Sequence, residues 1–179
     1  MYMEMNETLN CMETRRSVRG YEPDRVPADE LIEAVARAGT FAPTGMGAQS
    51  PVIVAVTNRG VRDRLSRLNA EVLGTDSDPF YGAPVVLVVL ADRSRPTHVY
   101  DGSLVMGNLM NAAHAVGLGS CWIHRAREVF DSEEGKALLR QWGIEGDYEG
   151  IGHCVLGYPA AGQPKAARPR KDGYVRWVR

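Results

Sequence analysis

The sequence predicts a layered α/β sandwich, and three features carry that reading. Short β-branched runs alternate with amphipathic segments, and no two strands join as a hairpin before the C-terminus. The run Pro84 to Ala91 is apolar on both faces, so both faces need cover. Residues 100–116 are apolar around nearly their whole circumference, which places them centrally or against another subunit. Pattern alone does not choose between a parallel and an antiparallel sheet.

Each element follows from local chemistry. Residues 6–14 predict a first helix carrying Leu9 and Met12. Pro23 and Pro27 keep the following RRSVRGYEPDRVP segment out of helix. After Pro27, the acidic Asp29 and Glu30 suit a first turn, and Leu31, Val35 and Ala38 recur at helical spacing. APTGMGAQSP (42–51) reads as a loop. VIVAV (52–56) reads as a buried strand, and residues 60–73 as a surface helix with Val61, Leu65, Leu68 and Val72 on one face. Asp76 to Pro79 is a turn before the strand at 84–91. GLGSCWI (117–123) turns into another strand, 132–142 is a short amphipathic helix, and 150–159 is a last core strand. Ala160 to Arg170 is rich in Ala, Pro and basic residues and reads as an extended tail. YVRWV (174–178) alternates at period two and predicts a terminal strand.

Length and composition narrow the function. The chain has 179 residues, the size of one domain with its own core. Its 21 basic and 22 acidic residues nearly cancel, which argues against a dominant nucleic-acid or anionic-membrane surface. There is no apolar run long enough for a transmembrane helix and no apolar core of a secretory signal, so a cytoplasmic location is expected. Cys11, Cys121 and Cys154 are odd in number and widely spaced, which excludes a disulfide scaffold. Four histidines show no metal-ligand spacing, so no metal is expected.

Candidate chemistry is sparse. RRSVR gathers Arg15, Arg16, Ser17 and Arg19, three guanidiniums and a hydroxyl suited to a phosphate dianion. A solvated basic face explains the same residues if they stand alone. The 42–51 loop lets backbone amides approach a ligand closely but lacks P-loop and dinucleotide-fingerprint spacing. Cys121 lies in an expected buried strand, where thiols are inert fillers. Asp101, Asn108, Asn111 and His114 are polar points on the central helix that fit buried hydrogen bonding. With no triad, carboxylate pair or metal cluster, no catalytic side chain stands out, and a cofactor is expected to carry any reaction.

Taken in order, four blocks resemble the nitroreductase family of FMN-dependent oxidoreductases: RRSVRGY (15–21), APTGMGAQSP (42–51), DGSLVMGNLMNAAHAVGLGSCWI (101–123), and LGYP (156–159) followed by RPRK (168–171). The resemblance spans about Thr14 to Trp177. It implies an α+β fold with a mainly antiparallel sheet flanked by helices. It further implies a homodimer in which residues 1–159 form the FMN-binding domain and 160–179 an arm packing on the partner.

The implied site has FMN as cofactor. Arg15, Arg16, Ser17 and Arg19 are implied to bind its phosphate, ribityl chain and pyrimidine edge. Pro43, Thr44, Gly45 and Gln49 are implied to come from the other subunit. Asn69 is placed near the flavin edge, and Trp122, Ile123 and His124 supply backbone contacts near N5. Arg168 and Arg170 return to the phosphate, with Lys171 nearby. Gly47 stands where many members carry Asn, and Ser50-Pro51 where Pro-Trp is common. The implied activity is NAD(P)H-dependent reduction of nitroaromatics, quinones or similar electron-poor acceptors. Alternatives are flavin storage without turnover, enone reduction and dehalogenation.

Overall fold

The structure, a computed structural model, describes residues 6–179. Its elements run α1 (Glu7–Thr14), α2 (Asp29–Thr40), β1 (Pro51–Val56), α3 (Arg59–Leu73), β2 (Val85–Asp92), α4 (His98–Ala115), β3 (Gly119–Ile123), α5 (Ala126–Asp131), α6 (Glu133–Gln141) and β4 (Tyr148–Gly157). The strands form one sheet in the order β1-β2-β4-β3, with every pair antiparallel. The fold is therefore α+β, and the polarity that pattern left open is resolved.

Strand β2 explains the layering. Its side chains alternate across the sheet. Val85, Leu87, Val89 and Ala91 join one core with Ile32 and Val35 of α2 and Val105, Met106 and Leu109 of α4. Val86, Val88 and Leu90 join the other with Leu65 and Leu68 of α3 and Val129, Phe130, Leu138 and Leu139 of α5 and α6. Both faces are covered, as the unbroken apolar run requires. Gly102 of α4 packs on Ile151 of β4, where a β-carbon would collide with the isoleucine side chain. Small size at that position lets the central helix lie close to the sheet.

Helix ends follow capping chemistry. Asn6 accepts from the Leu9 N–H at 2.9 Å, Asn58 from Val61 at 3.0 Å and Ser132 from Gly135 at 3.0 Å. Gly74 ends α3 in the left-handed region with φ 75°.

Three expectations need correction. Residues 174–178 form no strand, and among the described residues they pair with no sheet edge and their side chains are exposed. Periodicity does not predict helix α5, since six residues give less than two turns of pattern. The face of α3 also differs: Val72 is exposed, while Arg62, Ser66 and Asn69 are buried. Those polar side chains are buried because they are hydrogen-bonded, which hydropathy does not register.

Candidate functional site

The segment after α1 is a strap laid along the sheet. Val18 donates its N–H to the Ser120 carbonyl at 3.0 Å, and Ser17 bridges Ser120 of β3. Val18 and Tyr21 are buried, and the Tyr21 hydroxyl donates to the Val18 carbonyl at 3.1 Å. Extended backbone sends neighbours to opposite sides, so anchoring Val18 inward turns Ser17 and Arg19 outward. Burial pushes the Tyr21 hydroxyl far above its usual titration range, so it is a structural pin.

The C-terminal tail returns to this strap. Glu22 donates to the Tyr158 carbonyl and Ala160 to the Gly20 carbonyl, each at 3.0 Å. The Gln163 side-chain oxygen accepts from the Arg19 N–H at 3.3 Å. Beyond this root, the tail and the strap enclose an open cleft of about 1330 Å³. Arg15, Arg16, Ser17 and Arg19 line it from the strap, and Lys165, Arg168 and Arg170 from the tail. Residues 15–19 and 168–170, about 150 positions apart in sequence, are thus brought together.

The cleft is strongly cationic. Glu13 is its one acidic lining residue. Among the described residues, no carboxylate lies within ion-pair distance of these six cations. Arg16 Nη1 donates to the backbone carbonyls of Glu13 at 2.6 Å and Arg15 at 2.7 Å. Arg15 Nη1 is buried and has no hydrogen-bond partner. A buried guanidinium nitrogen aimed at nothing is costly unless an anion completes it. The donors present therefore fit a phosphate.

The other residues implied by the resemblance lie outside this cleft's lining. Thr44 and Gln49 line a separate small cavity of about 160 Å³. Their loop is held by Asp101, which is buried on α4. Asp101 accepts from the Gly45 N–H at 2.9 Å and the Thr97 hydroxyl at 3.0 Å. The Thr44 hydroxyl accepts from the Gln49 N–H at 3.0 Å. Met46 and Gln49 have φ of 55° and 51°, a conformation that side-chain-bearing residues rarely adopt. The loop is held in a strained shape, with Met46 fully exposed at its tip.

At the end of β3, Trp122 is half-buried, Ile123 buried and His124 exposed. Asn69 is fully buried, with no surface to offer a ligand. Its amide donates to the His124 carbonyl at 2.7 Å, and its oxygen accepts from Arg125 Nε at 3.1 Å. It holds the turn that follows β3, where Arg125 has φ 73°.

Burial pushes the thiols of Cys121 and Cys154 up, so they are poor nucleophiles. Among the described residues, no cluster of His, Cys, Asp or Glu is arranged to hold a metal. No described helix is long and apolar enough to cross a membrane. Sequence reasoning missed Gln163 and Lys165. The basic, Pro-rich composition of the tail was the available signal, but nothing local ties it to a strap some 140 residues earlier.

An antiparallel sheet between two helical layers, with a cationic cleft where strap meets tail, defines an α+β domain. The nitroreductase family model matches residues 12–76 and 71–158. A curated protein of Archaeoglobus fulgidus, provisionally named an NADH dehydrogenase/NAD(P)H nitroreductase, is 31% identical over 161 residues, covering 87% of each chain. A nitroreductase from Bacteroides fragilis, solved with bound FMN, superposes with a TM-score of 0.88 at 27% identity, covering 97% of this chain and 100% of that one. A second, from Desulfitobacterium hafniense and also with bound FMN, reaches 0.86 at 23% identity over 98% of this chain and 100% of its own. The chain belongs to the nitroreductase family.

Proposed function

We propose that this protein is an FMN-dependent oxidoreductase that takes hydride from NAD(P)H and reduces nitroaromatics, quinones or similar electron-poor acceptors. The observation that carries the reading is the buried, unpartnered Arg15 Nη1 in a cleft of unpaired cations. FMN bound in related structures supports the choice of cofactor.

Arg15, Arg16, Arg168 and Arg170 neutralise the FMN phosphate, with Ser17 as a hydroxyl donor. Arg19 lies next along the strap and would meet the pyrimidine edge of the flavin, offering positive charge there. Trp122 and Ile123 of β3, and His124 just after it, offer backbone groups. Asn69 acts one step back, by fixing the His124–Arg125 turn. When bound, FMN would supply the redox chemistry between the nicotinamide donor and the acceptor. The protein binds, orients and excludes water, and no side chain need exchange a proton in the donor half-reaction. One cleft serving donor and acceptor in turn gives ping-pong kinetics.

The site is completed by a second copy of the chain. Phe41, Met46, Tyr100 and Leu104 are exposed on the body, and Tyr174, Val175, Trp177 and Val178 on the arm. Large apolar side chains left in water at this density mark an interface. A homodimer covers them and brings Pro43, Thr44, Gly45 and Gln49 of one subunit to the cofactor of the other.

The test is a visible spectrum of the purified protein, followed by NADH or NADPH without oxygen. Flavin bands that bleach are expected. Absence of flavin after FMN is supplied overturns the cofactor assignment, and bands that persist with both nucleotides overturn the donor.

A further inference from the structure

We propose that the same cleft takes a second phosphomonoester, the 2′-phosphate of NADPH, and that Lys165 is the side chain that selects it over NADH. The inference rests on the FMN reading above and deepens it.

The argument begins with charge. Six cationic side chains line the cleft against the single carboxylate of Glu13. A phosphomonoester carries at most about two negative charges near neutral pH. One FMN phosphate therefore leaves the cleft with a clear positive surplus. A cation surplus lining a cleft attracts a further anion and raises its association rate.

Several arginines elsewhere are matched to acids: Arg62 to Asp78 at 2.5 Å, Arg64 to Glu134 at 2.6 Å and Arg93 to Asp131 at 2.6 Å. In the cleft no such match exists among the described residues. Lysines are rarer still, only three in the chain, and one of them stands here.

Lys165 is the cation left without a task. The arginines of strap and tail are assigned above to the FMN phosphate and the flavin edge, and Lys165 is the one cleft cation with no such assignment. Lys165 follows two residues after Gln163, whose bond to the Arg19 backbone fixes the root of the tail. Its position is thus set relative to the strap, while its flexible stem and rotatable ammonium suit a mobile donor that must leave each cycle. NADH and NADPH differ by one phosphomonoester, so a positive surplus discriminates between them by that group alone.

The test uses the FMN-loaded protein and the two nucleotide fragments that lack nicotinamide, ADP-ribose and 2′-phospho-ADP-ribose. Affinity is measured by calorimetry at low and high salt. The phosphorylated fragment is expected to bind about tenfold tighter at low salt, an advantage that shrinks as salt screens the charges. In Lys165→Ala the advantage is expected to fall to about threefold or less, with FMN content retained. Equal affinity of the two fragments overturns the proposal. An advantage that survives in Lys165→Ala overturns the role of Lys165. A protein that takes up no FMN, or is reduced by neither nucleotide, overturns the underlying function instead.

Discussion

Asn69 and His124 are 55 positions apart and are joined by a single bond, from the Asn69 amide nitrogen to the His124 carbonyl at 2.7 Å. Asn69 is completely buried, and its other end accepts from Arg125. One side chain of α3 thereby fixes the backbone where β3 ends, beside a left-handed arginine.

Asn69→Ala leaves a carbonyl and a guanidinium without their partner. Stability should fall by about 1–3 kcal/mol. Urea unfolding checks this, with a lower midpoint and an unchanged slope expected. Asn69→Asp keeps the acceptor for Arg125 but removes the donor to His124, so it should also be destabilised. Wild-type midpoints for both variants would mean that the clamp contributes nothing.

Asp101 holds the 44–49 loop through Gly45 and Thr97. Asp101→Ala removes a charged acceptor from both donors, a loss of about 1.5–3 kcal/mol for each bond at most. Hydrogen exchange at the Gly45 amide should accelerate, while amides in β2 and β4 should change far less. Unchanged exchange at Gly45 would show that the loop holds its shape unaided.

His153 gives the protein an acid-sensitive core. Its ring is fully buried between Phe80 and Phe130, with ring centroids 5.2 and 5.9 Å away. Burial lowers its pKa from 6.5 to about 3, a shift the Ile123 backbone opposes and Arg125 reinforces. The unfolded chain therefore binds a proton more readily than the folded one. This contribution to stability is fully present above pH 6.5 and is lost as pH falls from there toward 3. At pH 5 the loss is about 2 kcal/mol. Melting temperatures measured from neutral pH downward should fall faster for the wild type than for His153→Leu. Parallel slopes would contradict this account.

Much of the fold was legible in the sequence, for physical reasons. The run 84–91 required cover on both faces, and β2 has it. The central helix and the capped segments appear within a few residues of where spacing and capping place them. Sheet polarity was not legible from pattern, because a helix between two strands permits either direction; the family resemblance supplied it. The terminal YVRWV alternates like a strand, but alternation describes a face and does not provide a neighbour to pair with. At the site, RRSVR and RPRK were each ambiguous alone. Their meeting depends on bonds from the tail to Gly20 and Arg19, which act across the whole chain. The family resemblance places Asn69 near the flavin edge. Its burial and its double engagement are tertiary facts that helical spacing cannot encode.

The central claim is that the arginine cleft exists to hold the phosphate of FMN. Titrating the flavin-free protein with FMN and with riboflavin tests it most directly, because the two ligands differ only by that phosphate. Two charge-assisted hydrogen bonds suffice for about a 100-fold preference for FMN. That preference should collapse in Arg15→Ala. Equal affinity for FMN and riboflavin would contradict the account and leave the cleft without its ligand.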